Sequence, residues 1–181
     1  GLGDSLLIAA GVGNTPWTVL AEGIADTTEV WTIGEATFLV SVAVMFLWIP
    51  IKETPGIGTI LNIIIIALTI HVMVPILPQP ENPLVSILMA SLGIVLVGIG
   101  SCMYLTANLG PGPRDGWMTG LQRTTGIPIG RVRIAIEASV LVIGIVLGGT
   151  FGIGTILFAV TIGPVVASCL SIASRIDSTT R

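Results

Sequence analysis

The sequence predicts an all-α integral membrane protein. Six transmembrane helices form two inverted-topology three-helix repeats, each with a short re-entrant or interfacial helix after a Gly/Pro elbow. Three observations carry this. The first is composition: of 181 residues, 52% are apolar and 9% are charged, whereas a soluble globular domain carries about a quarter charged residues. The second is an internal repeat. The hexapeptide GIGTIL occurs at Gly56–Leu61 and again at Gly152–Leu157. In the same frame Ile33-Gly34 falls on Ile129-Gly130. With one residue of slippage Thr27-Thr28 falls on Thr124-Thr125, Gly23 on Gly120, Pro16 on Pro113 and Gly13 on Gly110. The third is the placement of charge, which fixes an orientation below.

Taken in order, Leu2 to Val12 is apolar but shorter than the ~20 residues that span a bilayer. It reads as the end of a first span whose N-terminal half lies upstream of Gly1. Gly11, Gly13 and Pro16 interrupt it. Pro16 to Asp26 is a short helix, proline suiting its first turn and Asn14 or Thr15 its cap. Trp17, Leu20, Ala21 and Ile24 share one face of it, with Thr18, Glu22 and Asp26 away from that face. The second span is Ile33 to about Pro50. The third is Ile57 to Leu77, kinked at Pro75 and closed by the proline-rich turn 78–83. The fourth is Leu84 to about Ala107. A second elbow, Gly110 to Pro113, precedes a second short helix, Arg114 to Thr125. The fifth span is Ile129 to Leu147, and the sixth Gly152 to Ala173, kinked at Pro164. Repeat 1 is thus residues 1–77, repeat 2 is 84–173, and a polar tail occupies 174–181 of one membrane domain. An odd number of spans per repeat forces the copies into opposite orientations, an architecture typical of secondary transporters.

With the N-terminus in the cytoplasm, all seven basic residues fall on the cytoplasmic side: Lys52, Arg114, Arg123, Arg131, Arg133, Arg175 and Arg181. Glu22, Asp26, Glu29, Glu35 and Glu81 fall on the other. This positive-inside asymmetry puts both termini in the cytoplasm. The four tryptophans, Trp17, Trp31, Trp48 and Trp117, lie near predicted span ends, the pattern of an aromatic belt.

The stretches LGPGPRDGWMTGL, TGIPIGRVRIAIE and GGTFGIGTILFAVTIGP resemble the YczE/YyaS/YitT family of bacterial integral membrane proteins. GVGNTPWTVL and PGIGTILN resemble the same family's first-half copy, so the likeness runs from Gly1 to about Pro164. It implies a multi-pass protein of the bacterial inner membrane. It implies no particular substrate. Lys52-Glu53 departs from the pattern, standing where the second half has Gly148-Gly149.

Two groups of residues can carry chemistry. The first is the pair of elbows, Gly13, Asn14 and Pro16 in one half and Gly110, Gly112, Pro113, Arg114 and Asp115 in the other. If the short helices re-enter the membrane, their N-termini offer free N–H groups to an anion or a substrate carboxylate, and Arg114 adds a full charge. If they lie flat instead, Trp17 and Trp117 anchor them at the interface. The second group is Arg133 and Glu137, four residues apart on one helix face and able to pair. A carboxylate this deep is either a substrate or proton site or half of a structural ion pair. Arg131 more simply marks the cytoplasmic boundary. Thr59, Asn62, Thr69 and Thr155 read as packing groups, His71 as a helix contact, and Glu35 as an interfacial residue on the outer face. Gly144 and Gly148 have GxxxG spacing, the signature of close helix packing. Cys102 and Cys169 read as small packing residues.

No nucleophile–histidine pairing, phosphate loop or paired carboxylates occur, so the sequence predicts no enzyme, no cofactor and no metal site. No basic run suggests nucleic acid. The expected function is transport of a small anionic or zwitterionic solute at the repeat interface. The alternative is a non-transporting subunit that stabilises a partner complex. The lipid bilayer is the expected partner in either case. A homodimer or a membrane-protein partner is compatible with both, and substrate, coupling ion and direction are not encoded in any motif.

Overall fold

The computed structural model describes residues 1–28 and 30–179, with side chains described as far as residue 173. The expectations placed on Glu29, on Arg181 and on the side chain of Arg175 lie outside this description. Nine helices and no strand occur among the described residues. In order they are α1 (Leu2–Ala10), α2 (Pro16–Thr28), α3 (Ile33–Phe46), α4 (Trp48–Ile51), α5 (Ile57–Met73), α6 (Pro83–Thr106), α7 (Pro113–Thr125), α8 (Ile129–Val146) and α9 (Ile153–Thr179).

Three stretches are long and apolar enough to cross a membrane: Ile33–Ile51, Pro83–Thr106 and Ile153–Ala173. Helix α5 is apolar but shorter, at 17 residues. Local chemistry accounts for several boundaries. Pro75 lies beyond the end of α5 instead of kinking a longer helix, because proline cannot supply the N–H that would continue it. Asn82 caps α6 by accepting from Leu84 N at 2.9 Å, with Pro83 in the first turn. Thr32 and Glu35 close a reciprocal capping box on α3, and the Thr32 hydroxyl also meets His71 Nδ1 at 2.9 Å. Glu35 and His71 therefore tie the start of α3 to the end of α5.

The helices pack as two groups. Trp17, Val40, Val44, Met118, Val132, Ile136 and Val140 join α2, α3, α7 and α8. Leu7, Ala10, Ala90, Ile94, Phe158 and Ile162 join α1, α6 and α9. In lipid no hydrophobic drive separates helix faces, so close approach through small residues has to hold helices together. It does so between α1 and α6, where a Cβ on Gly3 would lie 2.6 Å from Gly93 O. Between α2 and α8, a Cβ on Gly144 would lie 2.6 Å from Leu20 N, and one on Gly149 would overlap the Val19 carbonyl. The second member of the GxxxG pair behaves otherwise. Gly148 meets nothing within 4 Å and turns the chain at φ 102°. Lys52, at the matching place in the first half, also has positive φ, 55°.

The two elbows make matching contacts across the halves. Gly13 and Gly110 have φ of 112° and 114°, a region that admits glycine and strains other residues. The first elbow packs on the second GIGTIL: Gly154 N donates to Val12 O at 2.8 Å, and a Cβ on Gly13 would lie 2.5 Å from Gly152 N. The second elbow packs on the first: Gly58 N donates to Leu109 O at 2.8 Å, and a Cβ on Gly110 would lie 2.9 Å from Gly56 Cα. Thr59 and Thr155 are fully buried at these junctions, and Thr59 Oγ1 donates to Pro111 O at 2.7 Å.

The tryptophans correct the expected aromatic belt. Trp17 and Trp48 are buried, while Trp31 is exposed. Trp48 stands between α4 and α7: Gly116 packs on its ring, and its Nε1 donates to Pro113 O at 2.9 Å. Thus α2 touches α8 through glycine backbone, whereas α7 packs its glycines, Gly116 and Gly120, on the Trp48 and Ile51 side chains of α4. Thr18 and Glu22, set apart from the apolar face of α2, are nonetheless turned toward protein. Thr18 is buried, and Glu22 is half-buried. Helix α2 is packed on more than one side, against both α3 and α8.

Candidate functional site

A cavity of about 160 Å³ lies between the two packed groups and takes residues from both halves of the chain. Helix α7 begins in it: Gly112, Pro113, Arg114 and Asp115 all line the cavity. Trp48 fixes this first turn through its bond to Pro113 O. Gly112 precedes the helix and offers no side-chain cap, so the first turn, which lines the cavity, starts uncapped. The start of α2 differs. Thr15 Oγ1 accepts from Thr18 N at 3.3 Å and lies 2.8 Å from Thr18 Oγ1.

Five charged side chains line the cavity: Asp4, Asp115 and Glu137, with Arg114 and Arg133. Arg133 Nε donates to Glu137 Oε1 at 2.9 Å, the pairing expected from their spacing. Tyr104, the single tyrosine, donates from α6 to Asp115 Oδ2. Burial pushes the Asp115 carboxyl up to about 6, only partly offset by Arg133. Arg114 forms no hydrogen bond or ion pair among the described residues; its guanidinium lies 5.2 Å from the centroid of the Trp17 ring. Burial lowers the Arg114 pKa, opposed by the negative fields of Asp4 and then Glu137. Asp4 is buried, and its one hydrogen bond is a long one, 3.4 Å from the Thr18 hydroxyl. The Trp17 indole N–H is buried with no partner among the described residues.

Of the residues singled out from sequence, Pro16, Gly112, Pro113, Arg114, Asp115, Arg133 and Glu137 line this cavity. Gly13, Asn14 and Gly110 do not. The glycines are occupied by the elbow contacts, and Asn14 Nδ2 donates to Glu22 Oε2 at 2.8 Å. Glu22 also accepts from Thr150 N and Thr150 Oγ1, at 2.7 and 2.8 Å, clasping the first elbow to the loop before α9. Arg114, expected on the cytoplasmic side and also as a site residue, lines the cavity. Arg131 is exposed and lies outside the lining.

Sequence reasoning missed Asp4, Ser41, Asn62 as a site group, and Tyr104. Two had a signal. Asp4 is a lone carboxylate in an apolar segment, and such residues are functional by default. Tyr104 is the single tyrosine of the chain. No set of three or more His, Cys, Asp or Glu side chains able to hold a metal ion occurs among the described residues.

Long apolar helices enclosing a small charged cavity define an integral membrane protein, and the chain belongs to the Family of unknown function (DUF6198), whose profile matches residues 1–171. It is 46% identical over 176 residues to an uncharacterized protein of Haemophilus influenzae, covering 97% of this chain and 80% of that one. It is 33% identical over 156 residues to the uncharacterized membrane protein YczE of Bacillus subtilis, covering 84% of this chain and 71% of YczE. With the B. subtilis protein YyaS the identity is 28% over 169 residues, covering 86% and 79%. These relatives bear out the family resemblance read from the motifs. No solved structure matches the chain.

Proposed function

We propose that the protein is a non-enzymatic transporter of small anionic or zwitterionic solutes in the bacterial inner membrane. In this reading it is built from six spans as two inverted repeats, with both termini in the cytoplasm. The observation that carries it is the Arg114 guanidinium, held in a cavity between the halves without a carboxylate or hydrogen-bond partner among the described residues. A half-buried cation left unpaired is unfavourable unless something else completes its shell. A solute carboxylate would do so, with the uncapped start of α7 beside it. The matched elbow contacts support the repeat, since each half docks its GIGTIL on the other half's elbow with nearly equal backbone angles. The ion pair of Arg123 with Glu53 supports the sidedness, because it joins two segments assigned to the cytoplasm.

A subunit that only stabilised a partner would present apolar outer faces but would have no use for charged groups in its interior. The test is a melting-temperature screen of the detergent-purified protein with small carboxylates, amino acids and amines. A ligand that binds only the folded state raises the melting temperature. The expected result is a rise with a carboxylate-bearing solute that Arg114→Ala abolishes, and uptake of that solute by proteoliposomes. A rise that survives Arg114→Ala unchanged, or ligand binding without uptake, would count against the reading.

A further inference from the structure

The cavity holds more negative charge than an anion site needs. Three carboxylates and two guanidiniums line it. The five groups differ in how they are partnered. Glu137 is paired with Arg133, and Asp115 accepts the Tyr104 phenol. Arg114 has only the Trp17 ring. Asp4, on the opposite helix group, is 7% exposed and has one long bond from Thr18. Opposite charges in one small cavity would normally close on each other, yet no ion pair joins Asp4 to Arg114. Arg114 is held by Trp17 and by the start of α7, while Asp4 is held on α1 by the close packing of Gly3 against Gly93.

We infer that the solute is an α-amino acid zwitterion, its carboxylate taken by Arg114 at the start of α7 and its ammonium by Asp4. This rests on the transporter reading and narrows it. A net-neutral ligand adds no net charge to a half-buried site, whereas a simple anion would sit against three carboxylates with one free guanidinium. The ligand would supply Asp4 with the donors it lacks and Arg114 with the acceptor it lacks, each a charge-assisted bond. The small volume of about 160 Å³ favours amino acids with small side chains. Ser41, Asn62 and Ser101 line the same cavity and offer neutral donors and acceptors around the charged ends.

The test uses the intact protein in detergent and the common amino acids, each small one compared with its N-acetyl derivative and its carboxamide. Binding is read by melting temperature and calorimetry. The expected result is that at least one small amino acid binds. Acetylation, which removes the ammonium charge, and amidation, which removes the carboxylate, should each weaken it on the order of tenfold to a hundredfold. Asp4→Asn should abolish the preference for the free amine, and Arg114→Gln the preference for the free carboxylate. Equal binding of the N-acetyl derivative, or of acetate, would overturn the zwitterion and leave an anion transporter standing. No response to any amino acid, with uptake of another carboxylate intact, would overturn it likewise. The comparison of derivatives on the unaltered chain decides the matter even if Asp4→Asn does not fold.

Discussion

Asp115 and Arg114 share the first turn of α7 and answer to opposite pressures. Burial raises the Asp115 carboxyl from its ordinary 3.8 to about 6. An acid whose folded pKa is raised weakens the fold wherever it is ionised. That penalty is absent below 3.8, develops between 3.8 and about 6, and is complete above. Asp115→Asn keeps an acceptor for Tyr104 and removes the titration. Its melting temperature relative to the parent protein should therefore rise as pH goes from about 4 to about 7. A difference that stays constant over that range would mean that burial does not set this pKa. Glu22 makes a second case, as it accepts three hydrogen bonds from Asn14 and Thr150. Glu22→Ala strands those donors and should lower stability by about 2 kcal/mol in a denaturation series, with Glu22→Gln losing less. Stability unchanged in Glu22→Ala would show that the clasp is superficial. At this scale the sequence was readable wherever partners are near in the chain. Arg133 and Glu137 sit one helical turn apart, and their pairing follows from spacing. Asp4 could be flagged as a lone carboxylate in an apolar segment, but not its surroundings, because Thr18 and Arg114 come from other helices.

Helices were legible as segments because apolar runs are long and glycines and prolines punctuate them. The elbows were legible as elbows, but their job was not. Gly13 and Gly110 serve contact between halves, and the cavity is lined instead by Thr15 and Pro16 of the first elbow and by the start of α7. Gly13→Ala should therefore block folding or sharply lower the yield of dispersed protein, since it combines φ of 112° with backbone 2.5 Å from the new Cβ. Gly100→Ala is the contrast. Nothing lies within 4 Å of it in the middle of α6, so it should be neutral or stabilising by up to ~1 kcal/mol. Both are read by size-exclusion profile and melting temperature, and equal behaviour would contradict the packing described. The two-faced pattern of α2 misled for a different reason. A polar residue usually marks a wet face, but Thr18 is polar because it serves Asp4 and Thr15 inside the protein.

For the molecule as a whole, sidedness is the property that most needs measurement. Single cysteines placed at Lys52, Glu81 and Gln122, after replacing Cys102 and Cys169, should divide under a membrane-impermeant maleimide. Glu81 should react from outside, and the other two only once the membrane is opened. Labelling of Lys52 and Glu81 from the same side would break the six-span topology. Charge pattern made this prediction readable from sequence, because lipid penalises misplaced cations whatever the packing. The cavity was beyond such reading. Its lining comes from α1 to α3 and α5 to α9, which meet only when the halves pack together.

The crossed elbow contacts also govern how the protein comes into being. Val12 and Gly13 leave the ribosome long before Gly152 and Gly154, the residues they rest on. Until α9 has been made, the first elbow lacks the backbone it rests on. Neither half is therefore a finished folding unit, and α9 completes the first elbow. A nascent chain of this kind needs shelter in the membrane until α9 emerges, and truncation before α9 leaves that early joint open.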